Sequence, residues 1–424
     1  MINPKYHRYH AEHPNQDASI RRNEIMELRK EIWDELNSSS QNELQSNYKR
    51  FIRDTQSYVA GDWTRPQLST NRSWQTLKGM DNNSEHAATI TMFNEFVKAS
   101  VTKYESGDAL DSDLNALALH NMILIQPGDN NYGIKANDWD RFKDFVQGDS
   151  VPIPTQLNVV GKNVLLSSIS GKVSFRQLAA MEEKLLACNS SKVDQILQII
   201  QNIPRIGTDT SVKEEDVLIT DFIEPLLMEP FLRTIPRTTI HGNGHPFYES
   251  CIRKIKIANK YGLPLKGIRS RAPDRTIEFQ MSEKKTFSVL VAEIKIKEDS
   301  YKNPDFVKLA TLMKDILDFA MMEGIRNYFT TGILVAGSSC KIFKLHMPIK
   351  KMDCMTEVAS FHLPHGINDV HFHEKIQKMI IAMSQCRLMI DSSILLLQSS
   401  DISSCENIIV DSYPSPAHHN TYYK

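Results

Sequence analysis

The sequence predicts an α+β or α/β protein: a mixed central β-sheet flanked by helices in the C-terminal half, preceded by a mainly helical N-terminal region. Three observations carry this expectation. From Pro246 onward, helical and strand-like patterns follow one another in the order α-β-β-β-α-β-β-α. Within that run, Phe287–Lys297, "FSVLVAEIKIK", is apolar on both faces over Val289–Ala292, as in a strand covered on both sides. The first third instead repeats apolar residues at helical spacing, as in Ile20, Ile25, Leu28, Ile32 and Leu36.

Taken in order, residues 1–16 read as a disordered N-terminus and 17–205 as a mainly helical domain of unknown role. Helical patches are expected at Ala18–Leu36, Leu44–Val59, His86–Tyr104 and Trp139–Val146, separated by "SSSQNE", "GMDNNSEH" and "QPGDNN". Trp33, Trp63, Trp74 and Trp139 all fall here, which suggests a core of its own. A strand-like stretch at 157–168 and helices near 174–187 and 192–203 complete the region.

Residues 206–398 form the expected sheet domain, and 399–424 a flexible tail. Asp216–Thr234 is an apolar helical pattern interrupted by Pro225 and Pro230. "PFYESCIRKIKIANKYG" opens with proline and closes with glycine, as helices do. "LPLKGIRS" and "RTIEFQ" read as short strands. The next helix has Asn303 and Pro304 at its start, Gly324 at its end, and a stripe of Phe306, Leu309, Met313, Ile316, Leu317 and Ala320. "FTTGILVAGSS" and "CKIFKLHMP" are two strands around a Gly-Ser turn, and a last helix covers about Asn368–Leu396.

The net charge of −1 excludes a global field for acidic or basic partners, so any such signal must be local. None of the six cysteines forms a CxxC pair, the start has no apolar core, and no apolar run is long enough for a membrane span. An intracellular protein of the nucleus or cytoplasm is expected.

The chemistry concentrates at the end of the central strand. Side chains alternate across a strand, so Glu293 and Lys295 extend the buried face of Val289 and Val291. A charge placed there needs a partner, and a metal ion would be one. Asp274 lies where the chain enters "RTIEF"; if the two strands are neighbours, it converges with Glu293. Two carboxylates and the carbonyl of Ile294 make a hard oxygen shell suited to Mg²⁺ or Mn²⁺. Around it, Cys251–Arg275 carries eight basic residues, among them Arg253, Lys254, Arg269, Arg271 and Arg275, against the single acid Asp274. Such a stripe suits a nucleic-acid backbone, whereas no base-reading motif is evident.

Pro273-Asp274, followed by Glu293-x-Lys295, resembles the PD-(D/E)xK motif of the restriction-endonuclease-like nuclease superfamily. The resemblance covers about residues 215–348. It implies an α-β-β-β-α-β core, with the aspartate on the second core strand and the Glu-x-Lys on the third. It also implies metal-dependent phosphodiester hydrolysis: Asp274 and Glu293 hold Mg²⁺ or Mn²⁺, and Lys295 positions or activates the attacking water. Members often add an acid from the first core helix. That would be Glu249 if the helix at 246–261 is the one, and Glu224 if it is 216–234; Glu249 is the expectation here. Where relatives carry a Gln-Tyr pair, "DFVKLATLMKD" offers Lys308 and Lys314. The substrate would be nucleic acid, DNA ahead of RNA, with Arg269, Arg271, Arg275, Lys254 and Lys308 as backbone contacts. The helical region would serve a protein partner or self-association. The alternative is a catalytically inactive module of the same fold that binds nucleic acid or protein.

Other features read as ordinary. Pro304-Asp305, Glu182–Lys184 and Glu283–Lys285 repeat parts of the motif but look like solvated charges. His241 and His245 of "HGNGHP", with Cys251, lack a second cysteine pair and read as a loop before a helix rather than a zinc site.

Overall fold

A computed structural model of the chain describes residues 86–106, 108–127, 132–147, 215–242, 245, 247–261, 272–282, 285–296, 304–349, 352–364, 369 and 371–399. The elements expected at Ala18–Leu36, Leu44–Val59, 157–168, 174–187, 192–203 and in "LPLKGIRS" lie outside the described residues, as do both expected terminal tails. In order, the described elements begin with α1 (Ala87–Glu105), α2 (Asp113–Ala118), β1 (Met122–Ile125) and α3 (Ala136–Gln147). Then α4 (Glu215–Leu218) continues directly into a π-helical segment, Ile219–Leu232. Next come β2 (Thr238–His241), α5 (Tyr248–Tyr261), β3 (Arg275–Ser282), β4 (Lys285–Lys295) and α6 (Pro304–Met322). The last are β5 (Phe329–Ala336), β6 (Ser339–Ile349), β7 (Met352–His362) and α7 (Phe372–Ser399).

Seven strands form one mixed, open sheet in the order β1-β7-β6-β5-β4-β3-β2. β4 and β5 are parallel, joined by the α6 crossover; β1 and β7 are also parallel, and the other pairs are antiparallel. β4 is buried without a break from Phe287 to Ile294 because helices cover both of its faces. α6 packs on β4, β5 and β6, and α7 packs on β7, β5, β4 and the π-helical segment. Gly332 of β5 lies under Met313 of α6; a Cβ there would come within 2.3 Å of the sulfur, so the methionine side chain fills the space that glycine leaves. Gly324, at φ +82°, ends α6 in the left-handed conformation expected of it.

α6 is more deeply placed than its apolar stripe implied. Every residue from Leu309 to Ala320 is buried, including Lys314, Asp315 and Asp318, because α5 and α2 pack against the helix on the side away from the sheet. α7 is the one helix among the described residues long and apolar enough to cross a membrane; it packs on the sheet and the π-helical segment and leaves Leu395 exposed.

Three strands escaped the sequence reading. β2 is short and β1 has only four residues, all buried. β7, "MDCMTEVASFH", hides its alternation because polar Asp353 and Thr356 are themselves buried. β1 joins the sheet through Met122–Ile125 against Asp353–Thr356. The boundary placed near residue 205 therefore does not separate this part of the N-terminal half from the sheet. A second cluster gathers Ile90, Phe93, Tyr132, Trp139 and Phe142 with Met352 and Cys354 of β7, so it is shared with the sheet and is not a core of the N-terminal region's own; Trp33, Trp63 and Trp74 lie outside the described residues.

Candidate active site

The β3–β4 register builds the site. Arg275 pairs with Ala292 in antiparallel sense, so one step outward sets Asp274 opposite Glu293. The Asp274 carboxylate accepts the Ile294 N–H through Oδ2 at 2.7 Å. Both carboxylates are buried, Glu293 completely. Thus the sequence expectation that these two acids converge is met.

Glu293 is held in an unusual state. Its Oε2 accepts from Lys308 Nζ at 2.7 Å, but its Oε1 is buried with no hydrogen-bond partner among the described residues. Burial pushes its carboxyl well above the ordinary range; Lys308 opposes this, while Asp274 and Asp305 add to it. Lys295 Nζ stands 3.1 Å from Glu215 Oε2 and 4.0 Å from Asp305 Oδ1. Burial pulls Lys295 down, but Asp274, Asp305 and Glu215 outweigh it and leave the ammonium more basic than usual.

The other expected site residues divide. Glu249 is not brought to Asp274 and Glu293. Its carboxylate accepts the N–H of Ser288 at 3.0 Å. Ser288 precedes Glu293 by five residues, about 16 Å along an extended strand. Burial raises the Glu249 carboxyl. Glu224, on the π-helical segment, is the helix acid near the site: its Oε1 accepts from Arg275 Nε at 2.6 Å. Of the two helix acids, Glu224 is the one tied to the residue next to Asp274.

Arg275 also donates from Nη1 to the Asp274 carbonyl at 2.8 Å, so its guanidinium clamps the site's wall rather than projecting to a phosphate. Lys308 is engaged with Glu293. Arg253, counted in the basic stripe, is buried between Asp315 and Asp318 and belongs to no surface patch. Arg269 and Arg271 lie outside the described residues, as does the side chain of Lys254.

Two participants were missed. Glu215 gives no spacing signal. Asp305 belongs to the second Pro-Asp, read as a solvated charge; the first turn of α6 places it beside Lys295. No protein-family model matches this chain, and no curated protein or solved structure matches it significantly.

Proposed function

We propose that this chain is a metal-dependent nuclease that hydrolyses phosphodiester bonds at Asp274, Glu293 and Lys295. The observation that carries the reading is the Glu293 carboxylate, buried with one oxygen unpartnered directly beside Asp274. A buried acceptor without a donor is costly, and a cation relieves that cost. The order of elements supports it as well. The α4–π segment, β2, β3, β4, α6 and β5 give α-β-β-β-α-β once α5 is treated as an insertion between β2 and β3. Asp274 then opens the second strand and Glu293-x-Lys295 ends the third.

The donor set fits the expected ion. Carboxylate oxygens of Asp274 and Glu293, with the Ile294 carbonyl, are hard ligands that would hold Mg²⁺ or Mn²⁺. Such an ion, when bound, supplies positive charge to the phosphate oxygens as they gain negative charge. Lys295 stays an ammonium, so it donates hydrogen bonds to a phosphate oxygen or an attacking water and orients it, and does not remove a proton. Lys308, paired with Glu293, would add a second cation at the site. Glu215 and Asp305 keep Lys295 charged and aimed. Arg275 and Glu224 fix the backbone at Asp274.

Incubation of the purified full chain with labelled DNA and RNA, with Mg²⁺ or Mn²⁺, tests this. Cleavage is expected, and Asp274→Asn or Lys295→Ala should lower it by on the order of a hundredfold or more. Unchanged cleavage in both variants sinks the assignment. The Lys308–Glu293 contact favours a second reading, because a protein cation already faces the carboxylate. In that reading the fold is an inactive nucleic-acid or protein-binding module; salt-sensitive binding without cleavage under either metal is its signature.

A further inference from the structure

We propose that His241, His245 and Glu278 form a second metal site, which takes one divalent transition-metal ion of the zinc class. It is independent of the nuclease reading. His241 ends β2, His245 stands in the turn four residues later, and Glu278 projects from β3. The β2–β3 register pairs His241 with Thr276 and Thr239 with Glu278, which brings strand, turn and carboxylate to one edge of the sheet. One ligand atom from each of the three residues lies within 4.8 Å of the others.

The local geometry suits an ion of that class. His245 Nε2 is 3.0 Å from Glu278 Oε1 and His241 Nε2 is 3.3 Å from Oε2. The two nitrogens face different oxygens of the one carboxylate, so closing a zinc shell with bonds of about 2.0–2.1 Å asks for a small shift of the ligands. Nε2 of each imidazole faces the Glu278 carboxylate; the rings now stack with centroids 3.7 Å apart and planes 10° from parallel, so a ring would turn out of the stack to bring both nitrogens onto one ion. Two imidazoles and one carboxylate select zinc or its borderline neighbours, whereas the all-oxygen set at Asp274 and Glu293 selects magnesium or manganese. Three protein ligands leave a fourth position for water. All three side chains are half-buried, so the ligands are accessible to an entering ion.

The ligands come from β2, His245 and β3, so the ion would pin His245 against the edge of the sheet. Metal binding would then stabilise the fold and not only fill a site.

The test uses the full chain stripped with a chelator and titrated with Zn²⁺ against a chromogenic competitor. A parallel titration with Co²⁺ is followed by visible absorption. The expected result is one ion per chain, a four-coordinate cobalt spectrum, and a thermal midpoint that rises with zinc. Loss of the ion, of the spectrum and of the zinc-dependent rise is expected in His241→Ala, and equally in His245→Asn, which keeps a polar side chain in the turn should the first variant not fold. Asp274→Asn should bind zinc like the wild type, which separates this site from the other. Failure of the wild type to bind zinc stoichiometrically overturns the proposal, and so does equal binding by a folded His241→Ala or His245→Asn variant.

Discussion

Helix α6 contributes to two clusters of buried charge that differ in one respect. In the middle of the helix, Lys314, Asp315 and Asp318 meet Arg253 of α5 and Asp353 of β7. Arg253 donates to Asp315 at 2.9 Å and to Asp318 at 2.5 Å, and Lys314 pairs with Asp353 and stands 3.6 Å from Asp318. Near its first turns, Lys308 meets Glu293, and Lys295 stands by Asp305. The cations of the middle cluster are sealed, Lys314 at 0% exposure and Arg253 at 3%. Lys308 and Lys295 keep 22% and 34% of their side chains in water. What separates the two is the exposure of the cations. The sealed cluster ties two helices to a strand, and the open one leaves two lysines partly in water.

The sharpest way to break this comparison is to remove one cation from each cluster. Lys314→Met leaves Asp353 and Asp318 short of a partner in a dry interior, and should lower unfolding stability by about 3–5 kcal/mol. Lys308→Met should lower it by much less, because burial already opposes charge on Glu293 and Lys308 keeps part of its side chain in water. Urea unfolding of the two variants measures both. Equal losses would mean that the open cluster is as structural as the sealed one.

A smaller effect lies in the pH dependence of the sealed cluster. Burial raises the Asp353 carboxyl to about 6, with Lys314 opposing and Asp318 adding to the rise. Between an ordinary aspartate value near 4 and about 6, the folded chain then binds more protons at Asp353 than the unfolded chain does. Its contribution therefore favours the fold below about pH 4 and is lost as pH rises to about 6, by at most a few kcal/mol. Asp353→Asn should flatten that part of the stability profile. An unchanged slope would show that Asp353 ionises normally within the fold.

The clusters also explain what the sequence made readable. The Asp274–Glu293 pairing follows from strand register, a local rule, and α6 follows from its periodicity, its proline and its glycine. The partners of the other charges are set by tertiary contacts across long stretches of chain. Arg253 finds Asp315 and Asp318 at separations of 62 and 65 residues, so it looked like one more member of a basic stripe. Glu224 reaches Arg275 across 51 residues, and no pattern in either segment distinguishes it from Glu249. β7 was lost for the same reason, since Asp353 reads as exposed until Lys314 is known to face it.

The smallest expected change in stability has the opposite sign and sharpens the comparison most. Glu293→Gln keeps the shape of the side chain but removes a carboxylate whose Oε1 has no donor among the described residues. In the sealed cluster a neutral substitution strands a cation that cannot reach water. In the open one, Lys308 turns outward into solvent when Glu293 no longer holds it. Glu293→Gln should therefore raise unfolding stability by about 1 kcal/mol, or leave it level. The same variant should lose metal-dependent cleavage. Gain in one property with loss of the other is expected where a fold keeps an unsatisfied charge for chemistry. If Glu293→Gln destabilises the chain as strongly as Lys314→Met does, the carboxylate is part of the scaffold, and the proposed active site loses its main support.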